Sequence, residues 1–180
     1  MRTMNLGNRK NIIVNMLQKN PGMGKTAVMK AMFMLQQVKG ISLGCDFSIY
    51  TYGPYAAEIM EDIDELLSEG VLSSEIYQSH NYIGYKLKTT DKGSKAAVGL
   101  KNKETQAMEN ILDFVRGKTA KELELYATVI YIDNLYLKNG WSGNGGAEPV
   151  VKKVHEIKPH FTGDQIKDAY SQLKEMKYLQ

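Results

Sequence analysis

The 180-residue chain has one cysteine, Cys45, so it can form no internal disulfide. One thiol with three histidines, His80, His155 and His160, is too poor a donor set for a structural zinc site. Neither a metal nor a cofactor is expected. Long hydrophobic runs are missing too: nothing approaches the roughly 18 consecutive apolar residues of a spanning helix. Met1–Lys10 is polar, with no apolar signal core behind it. A soluble, cytoplasmic protein without a membrane partner is expected. There is also no strong excess of one charge, since the formal net charge of +3 is too small to announce a nucleic-acid binder.

The distribution of charge is far less even than its sum. Residues 1–40 carry seven basic side chains and no acid, and residues 41–75 carry eight acids and no base. Residues 76–103 then bring six lysines against Asp91. Blocks of alternating sign imply elements with separate charged faces, able to steer partners or to close on one another. The hydrophobic fraction of 43% suffices for a core in one ordinary domain or two small ones, and no internal repeat is found.

Helical spacing of Ile12, Ile13, Met16 and Leu17 predicts a helix around Arg9–Gln18, punctuated by Pro21-Gly22. A second, nearly buried helix starts near Gly24 and closes at Gly40. Phe47–Tyr52 reads as a strand ending at a Gly53-Pro54 turn, with Pro54 suited to the first turn of the next helix. From Tyr55 to Glu69, Ala56, Ile59, Met60, Ile63 and Leu67 share one face, and Glu58, Glu61, Asp62, Glu65 and Glu69 the other. Val71–Tyr77 and Tyr82–Leu87 flank Gln78-Ser79-His80-Asn81 as a hairpin with a four-residue loop, after which Thr90–Gly93 leaves the sheet. Helical patterns follow. Ala107–Val115 ends at Gly117, and Thr119 with Glu122 caps a helix that is apolar almost all round. Asn139–Ala147 is a Gly-rich loop, and Thr162 with Gln165 caps the last helix.

Lys19-Asn20-Pro21-Gly22-Met23-Gly24-Lys25-Thr26 ends like a phosphate-binding loop but has Lys19 where the motif needs its first glycine. Val129–Asp133, which could pass for a magnesium-holding strand, lies inside a capped helical pattern. A P-loop-like nucleotide-binding protein is therefore a remote alternative. His155 and His160 flank Pro159 without a carboxylate at ligand spacing and read as surface or capping residues. No catalytic triad or acid pair can be assembled, so catalytic residues are not assigned and no enzyme activity is expected. Six of the eleven tyrosines fall between Tyr50 and Tyr85, where packing of a small sheet is the ordinary role and base stacking the sharper alternative.

The order from Pro54 to Gly93, an amphipathic helix, a Leu-Leu-x-x-Gly-Val-Leu exit and a hairpin ending Tyr85-Lys86-Leu87-Lys88-Thr89-Thr90-Asp91-Lys92-Gly93, resembles a winged helix-turn-helix domain. In that family the helix from Tyr55 corresponds to the recognition helix and Val71–Leu87 to the wing. With Gly24-Lys25-Thr26, Phe47 through Tyr52-Gly53-Pro54-Tyr55, and Lys158-Pro159-His160-Phe161-Thr162, the chain from about Ile12 to Leu179 is similar to the largely uncharacterised YwgA-like proteins. These are in turn distantly similar to the Panacea (SocA-like) antitoxin domain.

The expected fold is thus α+β and mostly α. A winged-helix-like domain over 1–100, with a small antiparallel sheet, packs on a helical domain over 101–180. The resemblance implies a non-enzymatic regulatory protein, DNA-associated or antitoxin-like. Duplex contacts would come from the wing and basic segment: Lys86, Lys88, Lys92, Lys95, Arg9 and Lys10. The acids of the would-be recognition helix oppose this, because phosphate repels carboxylate. The alternative is an interaction module without DNA binding, in which Glu58, Glu61, Asp62 and Glu65 meet a protein partner such as a toxin, or the chain pairs with a second copy of itself.

Overall fold

The computed structural model describes residues 6–79, 82–140 and 146–179. His80, Asn81 and the loop glycines 143 and 145 lie outside the described residues, as does Arg2 of the basic segment. The chain is mostly helical with two small antiparallel sheets of two strands each, so the α+β, mostly α class read from the sequence is the observed one. No helix among the described residues is long and apolar enough to cross a membrane. By contact the chain divides into two compact units. One comprises residues up to Phe47 and Ala56–Gly117; the other comprises Ser48–Tyr55 and the chain from Lys118.

The first unit is built around α1 (Asn8–Lys19), with one apolar face, and α2 (Lys25–Gln37), which is apolar on most sides. Ile12, Ile13, Val14, Met16 and Leu17 are all buried in α1, as is every residue from Val28 to Leu35 in α2. Helix α3 (Ala57–Ser68) lays Ile59, Ile63 and Leu66 against them and ends in a Schellman motif. There Gly70 takes φ +68°, Val71 N–H donates to Leu66 O, and Gly70 N–H donates to Leu67 O. Strands β3 (Leu72–Ser79) and β4 (Tyr82–Thr89) follow in unbroken antiparallel register, from Leu72↔Thr89 to Ser79↔Tyr82. The ladder therefore runs further toward its tip than a loop over residues 78–81 allows. A one-residue bridge pairs Met23 with Leu87 on the other side of β4. Helix α5 (Asn102–Val115), which the sequence reading places in the C-terminal half, packs on α2 in this unit.

A short helix α4 (Asp91–Ala96) stands where the sequence reading has the chain leave the sheet and assigns no element. The Thr90 side chain caps it, accepting from Gly93 N–H. Its six residues with an internal glycine are too few to show a helical period.

In the second unit, β1 (Ser48–Tyr50) and β2 (Gly53–Tyr55) form a hairpin whose turn is Thr51-Tyr52. This corrects the strand expected over Phe47–Tyr52: Gly53-Pro54 opens the second strand instead of turning the chain. Gly53 (φ +85°) is needed for approach, since a Cβ there would stand 3.0 Å from Thr128 Oγ1 and 3.4 Å from Glu124 O. Both belong to α6 (Ala120–Lys138), around which α7 (Glu148–Ile157) and α8 (Gly163–Glu175) pack. The two expected capping boxes are present: Glu122 N–H donates to Thr119 Oγ1, Thr119 N–H donates to Glu122 Oε2, and Thr162 and Gln165 do likewise. Those backbone and hydroxyl donors hold the Glu122 carboxyl below its ordinary value.

Candidate functional site

The two residue sets that the sequence offers to different partners meet each other in the first unit. Arg9 on α1 is ion-paired through Nε to Asp62 on α3, and its Nη1 and Nη2 reach Leu43 O at 3.5 Å and Glu58 O at 3.4 Å. One helical step on, Lys10 is ion-paired to Glu65, and from α2 Lys25 Nζ bonds Asp64 Oδ1 at 2.7 Å. Glu58, in the first turn of α3, accepts from Asp46 N–H at 3.2 Å. Hydrogen bonds from its own N–H and from Asp46 lower its carboxyl. The acidic face of α3 is therefore already answered by basic residues of the same unit, and Arg9 and Lys10 are occupied.

Asp62 is not on the solvent face where the helical wheel puts it. It is buried, because it sits at the border of the Ile59–Ile63 stripe where Arg9 crosses. Glu61 and Glu69 are the acids of α3 and its cap that stay exposed without a basic ion-pair partner among the described residues. Partly exposed, the Arg9–Asp62 pair should contribute modestly. Asp62→Ala, which leaves Arg9 with carbonyls alone, should cost about 1–2 kcal/mol in urea unfolding, whereas Glu61→Ala should stay within about 0.5 kcal/mol of the parent.

The hairpin carries the remaining candidates. Directly opposed residues share a face and successive residues alternate, so the register sorts the hairpin into two surfaces. One holds Glu75, Tyr77, Lys86 and Lys88. Lys88 Nζ bonds both Glu75 carboxylate oxygens at 2.8 Å, and Lys86 Nζ lies 4.4 Å from the centre of the Tyr77 ring. The other surface is buried at its base, through Leu72 and Leu87, and apolar but exposed beyond it: Ile76 at 71%, Ile83 at 61% and Tyr85 at 50%. Lys92 donates to Glu69 O at 2.6 Å, and Lys95 is exposed in the last turn of α4. The structure thus brings Lys86 and Lys88 together on the β3–β4 hairpin and Arg9 and Lys10 together on α1, each largely engaged inside the protein.

The phosphate-loop look-alike follows a helix, α1, where a nucleotide fold has a strand. Its backbone is engaged with β4: Gly22 N–H donates to Leu87 O and Leu87 N–H to Met23 O, both at 2.9 Å. With Lys25 on Asp64, neither the amide nor the ammonium is turned to an anion. Val129–Asp133 is helical, inside α6. Cys45 is half-buried, and burial pushes its thiol up to about 11 even with Arg9 nearby, which leaves it protonated near neutral pH.

The second unit holds a buried charge cluster that the sequence reading does not single out. Lys158, after α7, is buried, donates to Tyr50 O at 2.9 Å and to Thr51 O, and lies 3.0 Å from Glu124 Oε1 on α6. That separation makes an ion pair, although the contact does not meet hydrogen-bond geometry. His160 Nε2 stands 3.5 Å from the same oxygen, and His155 Nδ1 meets Phe161 O at 2.7 Å. The two histidines thus serve the α7–α8 connection, His155 tying the end of α7 to the cap of α8. The available signal was Glu124 itself, an acid on a helix apolar almost all round, which must find a buried cation. Among the described residues no group of three or more His, Cys, Asp or Glu could hold a metal ion.

No family model matches the chain. Its sequence is similar to the uncharacterized protein YwgA of Bacillus subtilis, with 26% identity over 135 residues that cover 74% of this chain and 75% of the relative. That similarity runs over most of the stretch on which the short motifs resemble YwgA-like proteins.

Proposed function

We propose that this protein is a non-enzymatic interaction module on a winged-helix scaffold, antitoxin-like in taking a protein rather than a duplex as its partner. The scaffold reading is supported by element order: α1, a bridging residue at Met23, α2, α3, then the β3–β4 hairpin with Met23 paired on β4. In a winged helix the hairpin likewise follows the recognition helix. One observation carries the choice of partner. Four of the six basic residues offered for phosphate, Arg9, Lys10, Lys86 and Lys88, face a carboxylate or an aromatic ring of the first unit. A duplex would have to displace those contacts and dock beside exposed Glu61 and Glu69.

A second reading, duplex contact through the wing side, is favoured by Lys95, Lys101 and Lys103, which are exposed and have no carboxylate partner among the described residues. Duplex titration at about 50 mM salt separates the two. The parent should give no retardation, and Glu61→Lys with Glu69→Lys should introduce weak, salt-sensitive binding. Retardation by the parent that falls steeply with salt and is lost in Lys95→Glu/Lys101→Glu/Lys103→Glu would establish the second reading instead.

A further inference from the structure

The open edge of β3 is the least guarded feature of the first unit. Leu87 sends its N–H to Met23 O and receives Gly22 N–H on its own carbonyl, both on the side of β4 away from β3. Residue pairs of an antiparallel ladder alternate between those that exchange both bonds and those whose amides and carbonyls point outward. Ser74↔Leu87 is therefore an outward pair, as are Ile76↔Tyr85 and Gln78↔Ile83. It follows that the N–H and C=O of Ser74, Ile76 and Gln78 face away from β4, on an edge with no backbone partner among the described residues. Edge strands are commonly blunted by lysine, proline, a bulge or a cover. β3 has no lysine and no proline, its register is unbroken, and Ser73 through Gln78 are exposed. Its one charge, Glu75, is held by Lys88 on the neighbouring strand.

We infer that β3 is a self-pairing edge, through which two copies of the chain join β3 to β3 antiparallel across a two-fold axis at Ile76. The inference rests on the reading of the protein as an interaction module. Register selects the occupant. With Ile76 on its own copy, Ser74 meets Gln78 of the second copy and Gln78 meets Ser74. The three outward pairs then each exchange two backbone bonds. Glu75 falls opposite Tyr77 of the second copy, whereas an axis at Glu75 would set two carboxylates face to face. An uncharged edge gives nothing to an acidic or basic foreign strand, but a two-fold axis makes its own sequence complementary to itself. Pairing also brings together the exposed Ile76, Ile83 and Tyr85 of both copies on one surface of a four-stranded sheet. A contact of one strand pair is small, so the dimer should form only at micromolar concentration or above.

The test is the molar mass of the full chain in solution, by sedimentation between about 1 and 100 μM. The parent should pass from the 20.2 kDa chain to twice that mass as concentration rises. Ser74→Pro removes an N–H that the β3–β4 ladder does not use, so it should leave the hairpin intact and abolish the dimer. Ile76→Lys sets two ammonium groups at the axis on a position that is already solvent-exposed. It should weaken the dimer at least about tenfold with an unchanged circular dichroism spectrum, and it decides the matter if the proline variant fails to fold. A parent that stays at single-chain mass, or a dimer of parental affinity in Ile76→Lys, overturns the inference. Duplex titration of the same samples reports on the interaction reading separately: a dimer that binds duplex overturns that reading alone, and a monomer that ignores duplex overturns edge pairing alone.

Discussion

Lys158→Met should lower the unfolding free energy by about 3–5 kcal/mol, the range for removing one partner of a buried ion pair. The side chain of Lys158 is 7% exposed and serves three oxygens at once: Tyr50 O, Thr51 O and Glu124 Oε1. Methionine fills similar space but donates nothing, so Glu124, also 7% exposed, is left with only the half-exposed His160 nearby. A small domain has about 5–15 kcal/mol of stability in all, so the second unit should lose much of its cooperativity. The hairpin should respond first. Its Thr51-Tyr52 turn is anchored through these carbonyls, and Gly53 is pressed on α6 beside Thr128. The companion measurement is Lys158→Met with Glu124→Gln. Removing both charges should recover a large part of the loss, since a buried pair is worth far less against neutral residues than against a lone charge. Equal losses in the single and double variants would show that the carbonyl contacts, and not the ion pair, dominate.

Local signals were legible and long-range ones were not. Thr119–Glu122 and Thr162–Gln165 are complete within four residues, so sequence alone places the starts of α6 and α8. The stripe of α3 is equally local. Helix α7 is a local signal that the sequence reading leaves unused: Glu148-Pro149 opens it, and Val150, Val151 and Val154 recur at helical spacing on the face it buries. The site followed the same rule. The opposed charges of residues 1–40 and 41–75 were visible, and so was the idea that such blocks can close on one another. The particular pairing of Arg9 with Asp62 and Lys10 with Glu65 is set by how α1 lies across α3, which no spacing records. For the same reason the pairing of Lys158 with Glu124 of α6 has no signal in the spacing of the chain.

Gly93→Ala should destabilise the first unit by about 3 kcal/mol, near the upper end of ordinary overpacking costs, although helix propensity alone argues for the opposite sign. Gly93 is inside α4, where alanine is favoured over glycine by about 1 kcal/mol. The surroundings reverse that preference. A Cβ at Gly93 would stand 2.3 Å from Val71 O, 2.8 Å from Thr89 Cγ2 and 3.1 Å from Val71 Cγ1. The nearest atom is backbone and cannot step aside by changing rotamer. Val71 O also accepts from Thr90 N–H at 3.1 Å and from Thr90 Oγ1 at 3.0 Å, and Val71 N–H closes the Schellman motif of α3. Relief must therefore come from α4, which would lift away from the base of the hairpin and give up its Thr90 cap. Gly99→Ala is the matched control, because nothing lies within 4 Å of a Cβ there, and it should fall within about 0.5 kcal/mol of the parent. Urea unfolding of both variants checks the sign. If Gly93→Ala proves as stable as the parent, α4 is not held against Val71, and the hairpin base must be fixed by the Met23–Leu87 bridge and the Leu72 and Leu87 side chains alone.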